Sequence, residues 1–480
     1  MRLEKLIENL KIKQVLGNID IEVLSVKTDS NTVTSGSLFI CLNGKGFDGH
    51  SFIRQVESYG AVAVLTERRV ETALTQIIVE DTRVAMSIIA AEFYEHADKK
   101  LRLVGVTGTN GKTTTAHLIR SVLNKAGIPC GVIGTLGTFY ADKCLEPTLT
   151  TPDPLVLHKT FSDMLNSGIK AVVMEVSAHA VHFEKVKNLE YEVGVFTNFS
   201  RDHLDFFCDL ENYKQAKLKF FKENRCKYML TNSDDEVGRE IGKLRNDVIS
   251  YGIDNPSDVF AIEIKERADG VSFVLNLFDY IYDMKLNLIG KFNVYNAMAA
   301  ASAAALIGVE TDKIVKIINE IDGVVGRLEC VYKGKFDVYV DYAHTPDGLE
   351  NVLKALKPIC RTRLICIFGC GGNRDKGKRK QMGEVSGRLA DFTVITSDNP
   401  RYEEPISIIS EIEEGVLQVT TSYVVVQDRE EAIKYALNSA GEGDVLLIAG
   451  KGSEQYQEVL GIKRLYNDKD TVNNIIRGIN

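Results

Sequence analysis

The chain has 480 residues, and at roughly 100–200 residues per domain that length predicts about three domains. Its 44% hydrophobic and 26% charged content is that of a globular protein able to bury a sizeable core, and a net charge of -8 excludes a general affinity for nucleic acid or an anionic membrane surface. Nine cysteines without paired CxxC spacing, and an opening segment with no apolar signal core, imply a reduced, cytoplasmic protein. No apolar run approaches the roughly 20 residues of a membrane span, so no membrane insertion is expected.

Short apolar strands alternate with longer amphipathic helices, the pattern of α/β domains with mainly parallel sheets. Residues 1–98 carry strands at 37–42 and 61–66 and close with a helix ending in Asp98-Lys99-Lys100, which reads as a small substrate-presenting unit. Residues 99–325 open with a strand at 101–107, continue through strands at 171–175 and 193–197, and close with helices at 296–306 and 312–321. This is the expected nucleotide-binding core. Residues 326–480 carry strands at 336–340, 363–368, 392–396 and 444–449 with helices between them, the pattern of a second doubly wound, Rossmann-like sheet.

The sharpest motif follows the first strand of the core. Gly108-Thr109-Asn110-Gly111-Lys112-Thr113-Thr114 stands between that strand and a helix expected at 115–126. Such a loop turns backbone N–H groups and a helix N-terminus toward a phosphate, with a lysine to neutralise charge and a hydroxyl for Mg²⁺. The strict G-x-x-x-x-G-K-[ST] spacing is not met, because it needs glycine where Val106 stands and Gly105 comes one residue early. Other segments stand out by composition: Met174-Glu175-Val176-Ser177, Thr197-Asn198-Phe199-Ser200-Arg201-Asp202-His203-Leu204-Asp205, Ala216-Lys217, Gly290-Lys291-Phe292-Asn293-Val294-Tyr295-Asn296, Gly326-Arg327-Leu328-Glu329 and Asp341-Tyr342-Ala343-His344-Thr345-Pro346.

In kind and order these segments resemble the Mur ligases, and the resemblance spans nearly the whole chain. It implies three α/β domains, ATP and Mg²⁺ as cofactors, and amide-bond formation through an acyl phosphate. Lys112, Glu175, His203 and Lys217 are the implied catalytic set. Gly108 to Thr114, Asn293, Asn296, Arg327 and His344 would bind ATP; Thr113, Glu175, His203 and Lys217 would hold metal, with Lys217 carbamylated to N6-carboxylysine. At the front of the chain, Thr28-Asp29-Ser30 and Gly44-Lys45-Gly46-Phe47-Asp48-Gly49-His50 are similar to the family's uridine-nucleotide-binding domain. Ser30, Lys45, Gly46, Phe47, Thr150, Thr151, Ser177 and Lys185 are then expected to meet a UDP-muramoyl dipeptide. In the third domain, Arg374, Asp398, Asn399, Pro400, Arg401, Gly450 and Glu454 are expected to take the incoming amino acid. The run Asp398-Asn399-Pro400-Arg401 is the form found in diaminopimelate-adding members, where a guanidinium grips the distal carboxylate that lysine lacks. The implied reaction adds meso-diaminopimelate to the D-glutamate of UDP-N-acetylmuramoyl-L-alanyl-D-glutamate in cytoplasmic peptidoglycan precursor synthesis, by a monomer.

Taken singly, several of these residues have plainer readings. Lys217 among Lys214 and Lys219 reads as an exposed helix face, His203 as part of a capped turn, Asn293 and Asn296 as turn or cap residues, and Arg401 as a surface arginine after a turn. Cys366 and Cys370 read as structural cysteines, His117, His158 and His182 as structural histidines, and Asp341 as a residue orienting its own loop. Asn31, Phe183, Lys185, Asn373 and Ser453 depart from the family pattern. The competing functions are the same ligase adding L-lysine or another diamino acid, a folate-tail or cyanophycin-type ligase, and a non-catalytic UDP-muramoyl-peptide-binding paralogue. Joint retention of Lys112, Glu175, His203 and Lys217 speaks against the last.

Overall fold

The computed structural model describes residues 1–44 and 46–479. They form two compact units: Met1–Gly105, Gly127–Gly194 and Ala216–Tyr228 make the first, and Val106–Ala126, Val195–Gln215 and Met229–Asn480 the second. The strands Arg102–Thr107, Glu190–Phe196 and Arg225–Asn232 carry the chain from one unit to the other. Among the described residues no helix is long and apolar enough to cross a membrane.

The first unit begins with a five-stranded sheet in the order Ile12–Leu16, Thr75–Val79, Ala63–Thr66, Ser37–Ile40, Ser25–Lys27. The first pair is antiparallel and the rest are parallel. Strand alternation sorts its core: Leu38, Ile40 and Leu65 face the helices Leu3–Ile7 and Thr82–Phe93, while Phe39, Cys41 and Val64 face Ile53 and Val56. The expected helix through Asp98–Lys100 is two elements, since the α-helix stops at Phe93 and a separate 3₁₀ turn covers Ala97–Lys100. Glu95 and His96 adopt positive φ between them, which an α-helix does not accommodate. Later in the unit, Ala171–Glu175 runs parallel to Cys130–Gly134, which continues into an antiparallel meander of Gly137–Tyr140 and Lys143–Leu145.

In the second unit, Ile249–Gly252 pairs in parallel with its neighbours, and Val259–Arg267, Gly270–Leu277 and Tyr280–Leu286 add two antiparallel hairpins absent from the sequence reading. The helix Lys291–Leu306 starts five residues before its expected position and is buried nearly all round by Ala297, Ala299, Ala300, Ala301, Ala303 and Ala304. Small side chains let it lie close against the helix Lys112–Lys125.

The last sheet has the order Glu329–Lys333, Asp337–Asp341, Val445–Ala449, Leu364–Phe368, Phe392–Ile395, Tyr423–Val425, parallel except for its first strand. Ile365, Ile367, Leu446 and Ile448 face one layer of helices and Cys366, Phe368, Leu447 and Ala449 the other, so the expected doubly wound sheet is present. Cys366 and Cys370 are buried core residues, as expected, with burial pushing both thiols up to about 12.

One buried ion pair ties this sheet's edge together. Arg429 donates from Nε and Nη2 to the two carboxylate oxygens of Asp468 at 2.8 Å, and both side chains are 0% exposed. The same guanidinium donates to the carbonyls of Ala449 at 3.0 Å and Ser397 at 3.3 Å, bracing the ends of two strands. Arg429→Met strands a buried carboxylate, and the expected cost is about 3–5 kcal/mol in denaturant unfolding. A loss of only about 0–1 kcal/mol, the range of a surface pair, would show that the brace carries little.

Candidate active site

The phosphate loop is shaped by two glycines that nothing larger can replace. Gly108 has φ +148°, and a Cβ there would lie 1.9 Å from Thr197 Oγ1; Gly111 has φ +83°, and its Cβ would lie 2.5 Å from Asn296 Oδ1. Thr197 and Asn198 cradle the loop. Asn198 accepts from the Asn110 N–H at 2.9 Å through Oδ1 and from the Thr109 N–H at 2.8 Å through its carbonyl, and Thr197 Oγ1 donates to the Asn110 carbonyl at 2.7 Å. With Gly111 as its N-cap the helix begins at Lys112, three residues earlier than expected, so Lys112, Thr113 and Thr114 form its first turn. Lys112 Nζ lies over the loop, donating to the carbonyls of Gly108 at 3.0 Å and Thr109 at 2.8 Å.

Asn293 and Asn296 are inside their helix and buried, so the cap reading is wrong for both. They form a relay: Thr115 Oγ1 donates to Asn296 Oδ1 at 3.2 Å, Asn296 Nδ2 to Asn293 Oδ1 at 2.9 Å, and Asn293 Nδ2 to the Ile289 carbonyl at 2.8 Å.

Residues beyond 325 reach the same loop. Arg327 Nη2 donates to Thr113 Oγ1 at 2.9 Å while its guanidinium lies 4.3 Å over the Tyr342 ring. Asn110 Nδ2 donates to Asp347 Oδ2 at 2.8 Å, and Arg201 pairs with Asp375 through Nε at 3.1 Å and Nη2 at 3.4 Å. Asp341 does orient its own loop, accepting from the N–H groups of Leu328 and Ala343, each at 2.6 Å.

The buried Asp202 is the hub of a charge cluster. One carboxylate oxygen lies 3.4 Å from His203 Nε2 and 3.6 Å from His344 Nε2, and the other 3.6 Å from Lys378 Nζ. Burial pushes the Asp202 carboxyl up, but His344 and the charges of Lys378 and His203 outweigh it and hold the group well below the usual carboxylate range. His203 has φ +56° and is the N-cap of a short helix, Leu204–Phe207, as the turn reading expects, while its side chain stands beside Asp202.

The amino-acid candidates collect at the carboxyl ends of the parallel strands, where ligands of doubly wound sheets bind. Asn399 Nδ2 donates to Glu454 Oε2 at 2.9 Å, and a Cβ on Gly450 would lie 2.7 Å from Asp398 Oδ2. Arg401 has φ +53°, donates from Nη1 to the Gly372 carbonyl at 2.8 Å and has Glu458 3.5 Å from Nε, so it is a fixed residue rather than a loose surface arginine. Pro400 is buried, and its carbonyl would lie 1.9 Å from a Cβ on Gly372. Arg374 is exposed and, among the described residues, forms no hydrogen bond or ion pair with the other candidates.

In the first unit Glu175 ends the strand Ala171–Glu175 and is 0% exposed. Its carboxylate accepts from the Thr135 N–H at 2.8 Å and from Thr135 Oγ1 at 3.2 Å. Thr150 Oγ1 is 3.3 Å from Thr135 Oγ1, and Thr151 Oγ1 donates to the Glu175 carbonyl at 2.8 Å and accepts from the Ser177 N–H at 3.0 Å. These four candidates therefore stand together, with Thr135 as a member that sequence reading missed; its position directly after the glycine-ended strand Cys130–Gly134 was the available signal. Lys185 pairs with Asp153 at 2.8 Å, and the departing residue Phe183 lies beneath the Arg83 guanidinium at 4.8 Å. Lys217 is 1% exposed, so the exposed-face reading fails. Ser30 is buried in a 3₁₀ turn capped by Asp29, Gly46 and the exposed Phe47 follow one another in a tight hairpin, and Lys45 lies outside the described residues. His158 is buried 3.5 Å from Asp98, a structural role as expected.

Residues 22–103 match the model of the Mur ligase family catalytic domain, 106–304 the Mur ligase middle domain, and 326–452 the Mur ligase glutamate ligase domain. The chain belongs to the Mur ligase family. This Mur ligase is 41% identical to UDP-N-acetylmuramoyl-L-alanyl-D-glutamate--2,6-diaminopimelate ligase 1 of Clostridium acetobutylicum, over 99% of each chain. It is 42% identical to the enzyme named without the numeral in Syntrophomonas wolfei, over 100% of this chain and 99% of that one. A solved structure of a UDP-N-acetylmuramoyl-L-alanyl-D-glutamate--2,6-diaminopimelate ligase superposes with a TM-score of 0.71 at 30% identity, over 100% of this chain and 99% of that one. The family's three-domain α/β fold is thereby shared.

The helix behind the phosphate loop of this Mur ligase carries a pH-sensitive group. His117 is buried, and burial first, then the charges of Arg120 and Arg327, lower its imidazole from 6.5 to about 4. Since the folded value lies below the unfolded one, the stability it contributes is complete above pH 6.5, is lost as pH falls from 6.5 to about 4, and changes no further below that. Unfolding measured across this range is expected to show a steeper slope for the natural chain than for His117→Gln; equal slopes would contradict the assignment.

Proposed function

We propose that this Mur ligase joins an amino group of meso-diaminopimelate to a carboxylate of the D-glutamate in UDP-N-acetylmuramoyl-L-alanyl-D-glutamate, converting ATP to ADP and phosphate. One observation carries the reading: the run Asp398-Asn399-Pro400-Arg401 stands at the ligand-binding edge of the last sheet in a chain that matches diaminopimelate ligases from end to end. Arg401 spends Nη1 on the Gly372 carbonyl and Nε on the Glu458 carboxylate at 3.5 Å, while among the described residues its Nη2 makes no hydrogen bond and can meet a carboxylate. Glu454 offers a carboxylate for the substrate's ammonium. A cytoplasmic setting fits the nine cysteines, all of them free.

A carboxylate is a poor electrophile, so it must be activated. Its oxygen takes the γ-phosphoryl group as ADP leaves; the amine then attacks the acyl carbon and expels phosphate, which carries away one carboxylate oxygen. The chemical demand is to hold two anions together, and fixed cations meet it. Lys112 and Arg327 serve the nucleotide phosphates, with Asn293 and Asn296 holding the floor of the loop and His344 beside it. Thr150, Thr151, Ser177 and Lys185, with Ser30 and the Lys45-Gly46-Phe47 loop, hold the nucleotide-linked dipeptide. Residues 1–98, 99–325 and 326–480 are the proposed functional segments.

The donor chemistry suits a hard cation: Thr113 offers a hydroxyl and Glu175 a buried carboxylate, oxygen ligands of the kind Mg²⁺ prefers. His203 and Lys217 complete the proposed metal set, Lys217 as the carbamate that an uncharged amine forms with CO₂. When bound, Mg²⁺ supplies positive charge against the phosphoryl oxygens.

The test is phosphate release from ATP with the UDP-linked dipeptide and meso-diaminopimelate, L-lysine or no amino acid. Stimulation by diaminopimelate alone is expected; stimulation by lysine would overturn the specificity, and no stimulation by either would overturn the reaction. In the same assay Lys217→Ala is expected to abolish turnover, and unchanged activity would contradict its metal role. Arg401→Ala is expected to cost about 2–5 kcal/mol in kcat/KM for diaminopimelate. An equal loss with lysine would reject its role in choosing the amino acid.

A further inference from the structure

Lys451 has no place in the reaction as described, yet it is a lysine with 0% side-chain exposure between two glycines of positive φ, Gly450 at +112° and Gly452 at +53°. Its ammonium donates to Glu454 Oε2 at 2.8 Å and to Asn399 Oδ1 at 3.0 Å, and Asn399 Nδ2 closes the triangle by donating to the same Glu454 oxygen at 2.9 Å. The Tyr456 ring stands 5.7 Å away on a further side. Asn399 and Glu454 belong to different loops, following Phe392–Ile395 and Val445–Ala449, and the strand Leu364–Phe368 lies between those two strands. The two loops meet over that strand's end, where the glycine run Gly369–Gly372 makes room: a Cβ on Gly369 would be 2.2 Å from the Thr396 carbonyl.

We propose that Lys451 is a positioning residue for the incoming amino acid: its buried ammonium locks Glu454 to Asn399 across the two loops, and so sets where the carboxylate that receives the substrate's ammonium stands. The chemistry is that of a shared charge. Both side-chain hydrogen bonds to the Glu454 carboxylate fall on Oε2, and among the described residues Oε1 accepts none, so one carboxylate oxygen is fixed and the other is left to a ligand. A flexible glutamate would lose rotamer entropy on each binding event; one pinned by a buried cation has already lost it. Arg429 braces the same two strand ends from beneath through Ala449 and Ser397, which makes the lock rigid. The inference rests on the reading of these loops as the amino-acid site.

The test uses the full chain with Lys451→Met, which keeps the side chain's length and removes its ammonium. The KM for diaminopimelate is expected to rise about tenfold or more, as for loss of a hydrogen-bonded buried charge, while the KM values for ATP and the UDP-linked dipeptide stay unchanged. Glu454→Gln raises the same KM, and combining it with Lys451→Met adds little, since the lysine acts through the glutamate. Additive effects, a fall in kcat with no change in the amino-acid KM, or an equal rise for all three substrates would overturn the proposal. If Lys451→Met does not fold, Lys451→Gln is held to the same KM criterion. Natural enzyme that diaminopimelate fails to stimulate would instead overturn the reading of the loops, and the inference with it.

Discussion

At Gly108 a side chain of any size would enter the Thr197 hydroxyl, and the phosphate loop takes its shape from that close seat. The contact lets Asn198 take the N–H groups of Thr109 and Asn110 while Thr197 and Asn198 hold the Asn110 carbonyl. Gly111 repeats the device against Asn296. A helix N-terminus is an anion site wherever its N–H groups are free to point at the ligand. Here two glycines, a threonine and three asparagines fix the path of the chain leading into it. Lys112, Thr113 and Arg327 can act on phosphate only because that path is fixed.

The second constraint is electrostatic and belongs to the last sheet. Charges are buried there in pairs and relays: Arg429 with Asp468, Arg379 with Glu403, Lys451 with Glu454. Each would be costly alone, and each is paired through charge-assisted hydrogen bonds. They cluster at the loops that follow the parallel strands, where geometry must be held and loop backbone would otherwise move. Arg379 pulls the Glu403 carboxyl down to about 2, so this pair stays ionised throughout the neutral range. Departures from the family pattern fall on positions the structure accommodates locally: Asn373 takes a positive φ and accepts from the Tyr402 N–H, and Phe183 stacks under Arg83.

Much of the fold was legible because strands of alternating burial and amphipathic helices announce themselves; Ala171–Glu175 stands where it was expected to the residue. Helix starts were less legible. Lys291–Leu306 is apolar on nearly every side, so periodicity gave no edge, and the start at Lys112 depends on the backbone of Gly111. The hairpins within 259–286 were missed because runs such as Glu263-Ile264-Lys265-Glu266-Arg267 read as solvated surface. Motif segments marked the candidate residues, but not their partners: Asp347 and Asp375 meet Asn110 and Arg201 at sequence separations of 237 and 174. The burial of Lys217 had a signal that went unused, since Phe220 and Phe221, three and four residues on, share its helical face and are themselves buried.

In the proposed reaction the substrate carboxylate is phosphorylated before the amine attacks it. The most direct measurement places ¹⁸O in both carboxylates of the D-glutamate of the UDP-linked dipeptide and follows the label during turnover with ATP and diaminopimelate. The account predicts one labelled oxygen in each phosphate released. Unlabelled phosphate, with the expelled label found instead in water or in AMP, would contradict it.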